Sequence, residues 1–117
     1  MMDKTQSIYQ QIANNMIKKI ITNELKNNDM LPSIREQARS YQVTPKTVQN
    51  AMKKLEALGL IKKVQGSGIY VSVDENQRQT LIQNEIHKIY QQFIKEMNQI
   101  GFSKEEAKIK FLEACDD

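Results

Sequence analysis

Apolar residues at helical spacing predict a helix near the start of the chain, and a capping motif predicts a short second helix after it. The first is predicted over residues 7–24, where one apolar face is formed by Ile8, Ile12, Ile17, Ile20 and Ile21. A turn-rich connection follows and ends at Pro32. Ser33 stands three residues before Glu36, which is the spacing of a capping box, and a second helix is predicted over residues 34–41.

A third helix has the clearest boundaries in the sequence. Thr44 suits the N-cap, Pro45 suits the first helical position, and Gly59 suits the C-cap. The helical period predicts a buried side made of Val48, Ala51, Met52, Leu55 and Leu58. The residues that project the opposite way are Lys46, Gln49, Asn50 and Lys53.

Beyond this helix the pattern changes to strands and then returns to helices. Two runs rich in β-branched residues, 60–64 and 69–73, flank the segment QGSG and predict a hairpin. Apolar residues then repeat at three- and four-residue steps and predict one long helix over residues 76–100. The segment SKEE contains a second capping box and predicts a last helix over residues 104–114.

The second and third helices, joined by a tight turn, have the proportions of a helix-turn-helix, whose later helix enters the major groove of DNA. An ordinary helical hairpin in a small α-bundle is the alternative. Lysine and amide side chains on the exposed side of the third helix, together with the hairpin that follows it, favour DNA binding. We therefore predict a mainly α (α+β) fold, with a winged helix-turn-helix DNA-binding domain over residues 1–73 and a two-helix C-terminal dimerisation tail over residues 74–117.

The charge distribution agrees with this division. Residues 1–73 contain 11 basic and 5 acidic residues, a net charge of +6, whereas residues 74–117 contain 6 basic and 9 acidic residues, a net charge of −3. Clustered cations attract phosphate whatever the nucleotide sequence, which favours double-stranded DNA as the partner. An ordinary solvated surface is one alternative, and a winged-helix module whose basic face binds an acidic protein partner is another.

Other classes of function have little support in the sequence. Cys115 is the single cysteine and His87 the single histidine, and no cluster has the spacing of metal ligands or of a nucleophile and its base. We therefore expect no enzyme, no metal site and no cofactor. No charged and apolar leader opens the chain and no apolar run reaches about 20 residues, which predicts a cytoplasmic protein without a membrane segment.

Four motifs carry a resemblance to a known family. The segments LPSIRE, VTPKTV, LEALGLI and QGSGIYV occur in this order, and residues 7–73 resemble the winged-helix DNA-binding domain of the bacterial GntR family. The short tail, its segment IGFSKEEA and Pro45 in the turn-to-helix motif are similar to the YtrA-type subfamily. The resemblance implies a transcription regulator, usually a repressor, that binds a palindromic operator as a homodimer.

The resemblance also implies DNA contacts at individual positions. These fall on Arg35 of the second helix, on the start of the third helix, and on the tip of the wing, which enters the minor groove. The complete set of predicted DNA-binding residues is Ser33, Arg35, Thr44, Pro45, Lys46, Thr47, Gln49, Asn50, Lys53, Gln65, Gly66 and Ser67.

Some positions of the helix-turn-helix depart from the family pattern. Gln49 and Asn50 replace common arginines, and we expect them to read bases, because amides pair bidentately with adenine in the major groove. Gln37 replaces a leucine, and we expect the second helix to pack less tightly or to expose this side chain. The cations expected to bind phosphates are Arg35, Lys46, Lys53 and Lys54. For the last two, a solvated surface is an equal alternative.

The apolar stripe of the tail is too long for one short helix to cover. We expect it to form a homodimer, whose two-fold symmetry matches a palindromic site. The predicted dimerisation residues are Ile82, Ile86, Ile89, Tyr90, Phe93, Ile94, Met97, Phe111 and Leu112. A long helix folded back onto the first helix is the alternative. The tail has little room for an effector pocket, so we expect any small-molecule effector, not identified by the sequence, to act at the dimer cleft or through another protein.

Overall fold

The computed structural model describes residues 7–116 of the 117-residue chain. Within them the elements are, in chain order, α1 (Ile8–Ile21), α2 (Ile34–Tyr41), α3 (Pro45–Ala57), β1 (Ile61–Val64), β2 (Gly68–Val71), α4 (Glu75–Gln99) and α5 (Lys104–Cys115). The two strands pair as an antiparallel hairpin. The predicted mainly α fold, a winged helix-turn-helix followed by two helices, is therefore confirmed.

The chain divides into two compact units, one that extends through Leu81 and one that starts at Ile82. This division falls inside α4, so the first turns of α4 belong to the winged-helix unit. The core of that unit combines side chains of α1 and α3 with the hairpin. Its buried members include Ile12, Ala13, Met16, Ile20, Val48, Ala51, Met52, Leu55, Leu60, Ile61 and Val71. No helix in the described part of the chain is both long and apolar enough to cross a bilayer.

Serine side chains cap the starts of three predicted helices, and at α1 Ser7 forms a complete capping box with Gln10. Ser103 Oγ accepts the N–H of Glu106 at 3.1 Å, and the Glu106 carboxylate accepts the N–H of Ser103 at 3.0 Å, so the capping box of α5 is complete. At α2, Ser33 Oγ accepts the N–H of Glu36 at 3.1 Å. The full box predicted there is wrong, because the Glu36 carboxylate accepts the Ser33 hydroxyl at 3.2 Å instead of the backbone N–H.

The first helix is shorter than predicted. α1 ends at Ile21, three residues before the predicted end. Thr22 bonds back to Lys18 O at 3.0 Å through its hydroxyl, and Asn23 adopts the left-handed conformation with φ of 63°. Asparagine tolerates this conformation better than most residues, so it stops the helix before Glu24.

The end of α3 also differs from the prediction in two respects. The C-cap is Leu58 and not the predicted Gly59, which follows it in the left-handed conformation with φ of 75° and stops the helix. Leu58 is 50% exposed, so its predicted place on the buried side is wrong. It lies past the last helical residue, Ala57, and no longer follows the helical period.

A third extended segment joins the wing. The connection after α1 runs beside β2: the N–H of Leu31 donates to Ile69 O at 2.8 Å, and the N–H of Val71 donates to Asp29 O at 2.9 Å. Met30 forms a β-bridge with Tyr70 between these bonds. Residues predicted as a simple connection therefore widen the hairpin.

Gln37 lies in the core of the winged-helix unit. Only 2% of its surface is exposed, and its Nε2 lies 3.8 Å from Met52 Sδ. The expected exposure of this side chain is therefore wrong, because α2 packs against α3 at this position and covers the amide.

Candidate nucleic-acid interface

The first turn of α3 is capped by a side chain and is mostly exposed. Thr44 Oγ1 accepts the N–H of Thr47 at 3.3 Å, the two threonine hydroxyls lie 3.0 Å apart, and Pro45 occupies the first turn. Thr44, Pro45 and Lys46 are exposed, whereas Thr47 is half-buried. The turn contains no acidic residue. A helix N-terminus of this kind attracts anions, because its free N–H groups carry partial positive charge.

Polar side chains follow on the outer side of α3. Gln49 and Lys53 are exposed, and Asn50 is half-buried. Val48 and Ala51, which alternate with them along the helix, are fully buried and fix the orientation of α3 in its unit. An amide side chain offers a donor and an acceptor together, which is the pattern that adenine presents in the major groove.

α2 adds two cations to this region. Arg35 is exposed and follows the exposed N-cap Ser33. Arg39 lies one helical turn later and is also exposed. Sequence reasoning missed Arg39, although its four-residue spacing from Arg35 places both guanidinium groups on one side of the helix.

The wing tip is the loop between β1 and β2. It consists of Gln65, Gly66 and Ser67, all of them exposed. Gly66 has φ of 77°, and a Cβ built there would meet no atom within 4 Å. The Ser67 hydroxyl is hydrogen-bonded to the Tyr70 hydroxyl. A groove of about 530 Å³ is lined by both Ser33 and Ser67, so the start of α2 and the wing tip share one surface.

Two more lysines lie on the first strand of the wing. Lys62 pairs with Tyr70, Lys63 pairs with Ile69, and both lysines are exposed. They were absent from the predicted site because the strand was interpreted only as one side of a hairpin. The signal was the interruption of the apolar strand pattern by two adjacent cations in the segment IKKV.

The basic side chains of this region have no carboxylate partners. Within residues 7–116 the ion pairs are Arg78–Glu75 at 2.9 Å and Lys110–Glu113 at 3.5 Å, and both lie outside the segment from α2 to β2. The cations of that segment are therefore free to bind phosphate. They are Arg35, Arg39, Lys46, Lys53, Lys54, Lys62 and Lys63.

The second unit presents an apolar groove. Phe93 of α4 and Phe111 of α5 pack edge to face, with ring centroids 6.1 Å apart. Beside them is a groove of about 540 Å³, lined by Ile86, Ile89, Tyr90, Phe93, Lys108, Phe111 and Leu112. Ile89 is 64% exposed and Leu112 is 62% exposed. Of the other predicted dimerisation residues, Ile82, Ile94 and Met97 are half-buried and lie outside this groove.

No arrangement for metal binding occurs in the part of the chain that the structure describes, where no group of three or more His, Cys, Asp or Glu residues could hold an ion. The His87 ring lies 3.1 Å from the side-chain nitrogen of Gln91 on an exposed face of α4. Cys115 is exposed and unpaired.

The chain is similar to a known family of bacterial regulatory proteins and to individual regulators. The model of the gntR family of bacterial regulatory proteins matches residues 8–71. The uncharacterized HTH-type transcriptional regulator YhcF of Bacillus subtilis is 31% identical over 85% of this chain and 82% of its own length. The HTH-type transcriptional repressor YtrA of the same organism is 38% identical over 73% of this chain and 64% of its own length.

Two solved structures are similar to this chain, one over nearly all of it and one over about half. A GntR family transcriptional regulator from Listeria monocytogenes matches with a TM-score of 0.82 and 31% identity, over 97% of this chain and 98% of its own. The DNA-binding domain of AraR in complex with operator ORR3 matches with a TM-score of 0.53 and 25% identity, over 55% of this chain and 77% of its own. The first similarity includes the tail, and the second extends over about half of the chain.

Proposed function

Because the chain belongs to the GntR family of bacterial regulatory proteins, we propose that it is a transcriptional repressor that binds a palindromic operator as a homodimer. It is a DNA-binding transcriptional regulator and not an enzyme, since its relatives are transcriptional regulators. YtrA, which is named a repressor, supports the direction of regulation. The AraR domain that is bound to an operator supports DNA as the partner.

The observation that carries the proposal is the exposed side of α3. Its first two turns present Lys46, Gln49 and Asn50 without an acidic neighbour in the first turn. α3 enters the major groove, where Gln49 and Asn50 read base edges. Each good bidentate pair contributes about 1–3 kcal/mol of discrimination between bases.

Backbone contacts orient the domain on the duplex. Arg35, Lys46 and Lys53 bind phosphates, and the exposed N-terminal turns of α2 and α3, with Ser33, Thr44, Pro45 and Thr47, approach the sugar-phosphate backbone. The wing places Gln65, Gly66 and Ser67 in the adjacent minor groove. Lys62 and Lys63 extend the same basic surface along the wing.

The tail supplies the dimer interface. Its groove is lined almost entirely by apolar side chains, and large members such as Ile89, Phe111 and Leu112 are more than half exposed. Apolar surface of this kind is stabilised when a second copy covers it. A symmetric dimer presents two copies of α3, which matches the two halves of a palindrome.

An operator-binding titration tests the proposal. An operator selected from a random DNA pool is titrated with the protein at several salt concentrations, and fluorescence anisotropy gives the affinity. We expect the affinity to fall steeply with salt, as counterions are released from phosphates. The double variant Arg35→Glu with Lys46→Glu abolishes specific binding, while the matched control Lys18→Glu with Lys26→Glu changes charge equally and retains it.

Three outcomes would contradict this function. Binding that is insensitive to salt, or equally weakened by both double variants, would mean that α2 and α3 do not face DNA. Selection of no operator, together with capture of an acidic peptide by the same basic residues, would favour a protein-interaction module.

A further inference from the structure

Arg78, in the second turn of α4, is bonded to the end of α1. Its Nε and Nη2 atoms both donate to the carbonyl oxygen of Ile21, at 3.0 and 2.7 Å. Its Nη1 donates to the carboxylate of Glu75 at 2.9 Å. Only 21% of the Arg78 side chain is exposed. Arg78 lies outside residues 8–71, which the family model matches.

The Ile21 carbonyl is available because α1 ends there. Carbonyl groups in the last turn of a helix lack intrahelical partners and carry partial negative charge. Asn23, in the left-handed conformation, turns the chain away before another residue can donate to this oxygen along the helix. A guanidinium with two converging N–H groups satisfies the carbonyl and complements its charge.

Two further contacts hold the start of α4 on the winged-helix unit. Gln77 Nε2 donates to Gly59 O at 3.4 Å, just after the end of α3. Leu81 packs against the core. Asp74 caps the helix, since its carboxylate accepts the N–H of Gln77 at 2.8 Å. The first turns of α4 are thus tied to the ends of both α1 and α3.

We propose that Arg78 is a positioning residue that anchors the first turns of α4 on the winged-helix unit and thereby restricts the half-site spacing that the dimer accepts. This rests on the dimeric operator binding proposed above. α4 runs from Glu75 to Gln99 without Pro or Gly, so it extends for roughly 38 Å at 1.5 Å per residue. α4 continues into the unit that contains the proposed dimer groove, so loosening its first turns loosens the connection between the DNA-binding residues and the dimer interface and lets the dimer accept more half-site spacings.

The test compares the affinity of the protein for operators that differ in the distance between their two half-sites. Duplexes carry the selected operator with its two half-sites moved apart or together by one and two base pairs, and a further duplex carries a single half-site. Anisotropy titrations compare the wild type with Arg78→Ala and Arg78→Lys. Lysine keeps the charge but cannot donate two converging bonds from a planar group. Lys88→Ala, which removes an exposed cation elsewhere on α4, is the matched control.

We expect wild type and Lys88→Ala to prefer one spacing by at least tenfold. Arg78→Ala reduces this preference to about threefold or less, Arg78→Lys gives an intermediate value, and the affinity for the single half-site stays within twofold in all variants. Amide hydrogen exchange over residues 78–82 rises in Arg78→Ala and not in the control.

Failure of the dimeric function and failure of the proposed role of Arg78 give different results. If the wild type binds the palindrome no more tightly than a single half-site, the dimeric function itself is wrong. If the wild type selects one spacing and Arg78→Ala selects it equally, only the role of Arg78 is overturned. Loss of single half-site binding in both Arg78 variants would also overturn it, because Arg78 would then act on the DNA-binding surface and not on spacing.

Discussion

The side chain of Gln37 donates from Nε2 to the carbonyl oxygen of Pro32 at 2.8 Å. Its other polar atom, Oε1, is buried and meets no hydrogen-bond donor among the described residues. A buried acceptor without a donor costs free energy, because it has lost its hydrogen bonds to water. The amide therefore stabilises the turn before α2 through one atom and destabilises the core through the other.

The variant Gln37→Leu is expected to raise the free energy of unfolding by about 1 kcal/mol, because the unsatisfied oxygen is removed. The carbonyl oxygen of Pro32, an exposed residue, can then bond to water. Urea denaturation followed by circular dichroism measures this free energy. The control Gln83→Leu changes an exposed glutamine of α4 and is expected to stay within about 0.5 kcal/mol of wild type. A destabilised Gln37→Leu protein would show that the bond to Pro32 is the larger effect.

Features determined by neighbours in sequence could be predicted well. The start of α3 follows from the capping of Thr44 and the fixed φ of Pro45, and the start of α5 follows from the capping box of Ser103. Four of the five residues predicted for the buried side of α3 are indeed buried, because the helical period alone decides which side they occupy. Leu58 fails because the period ends before it.

Features determined by distant contacts could not be predicted. Gln37 is buried because α3 covers it, and Met30 joins the wing because Tyr70 lies opposite. The bond from Arg78 to Ile21 O joins residues far apart in the chain, and no local pattern marks it. For the candidate site, exposure and charge follow from the helix pattern, whereas the base or phosphate that each side chain meets depends on the DNA and stays a prediction.

Gln49→Ala and Lys46→Ala are expected to weaken DNA binding in different ways. Loss of the Gln49 amide reduces discrimination at one base pair by about 1–3 kcal/mol and leaves non-specific affinity unchanged. Loss of the Lys46 charge weakens binding to all sequences and lowers the salt slope by about 1. Titrations of single-substitution operators over a salt range separate the two effects. If Gln49→Ala weakened all sequences uniformly, its assigned role in base reading would be wrong.

Gly66→Asp and Gly66→Asn form a matched pair for testing the wing. Both side chains tolerate a positive φ better than other residues, and no atom lies within 4 Å of the added Cβ, so both variants are expected to remain folded. Asp adds a negative charge and Asn does not. We expect the operator affinity of the Asp variant to fall at least tenfold below that of the Asn variant. Equal affinities would mean that the wing tip only turns the chain.

Ile89→Asp is expected to convert the proposed dimer into a monomer. Ile89 is 64% exposed in the single chain, so a charge there leaves the fold intact but places an unpaired carboxylate in the proposed apolar interface. Sedimentation equilibrium measures the association, and single half-site binding is expected to persist. Lys88→Asp, at the adjacent exposed position, is the control and remains dimeric. An Ile89→Asp protein that remains dimeric would place the interface elsewhere.

The capping box of α5 is expected to stabilise the helix less at acid pH than at neutral pH. The backbone N–H of Ser103 bonds to the Glu106 carboxylate, and this bond, followed by the side-chain bond, lowers the pKa of Glu106 below its usual value. A lowered pKa in the folded state means that the charged carboxylate stabilises α5 at neutral pH. This contribution is lost as the pH falls below the usual glutamate range and through the lowered folded-state pKa.

An NMR titration of the amides at Ser103 and Ala107 should therefore show a transition below the usual glutamate range. Ser103→Ala removes the hydroxyl that orients the cap, so the transition should move up towards the usual pKa of glutamate. Glu106→Gln should abolish the transition, because no titrating group remains in the cap. Glu105→Gln, at an exposed neighbour, should leave it in place. A transition unaffected by Glu106→Gln would assign the acid response to another carboxylate and not to this capping box.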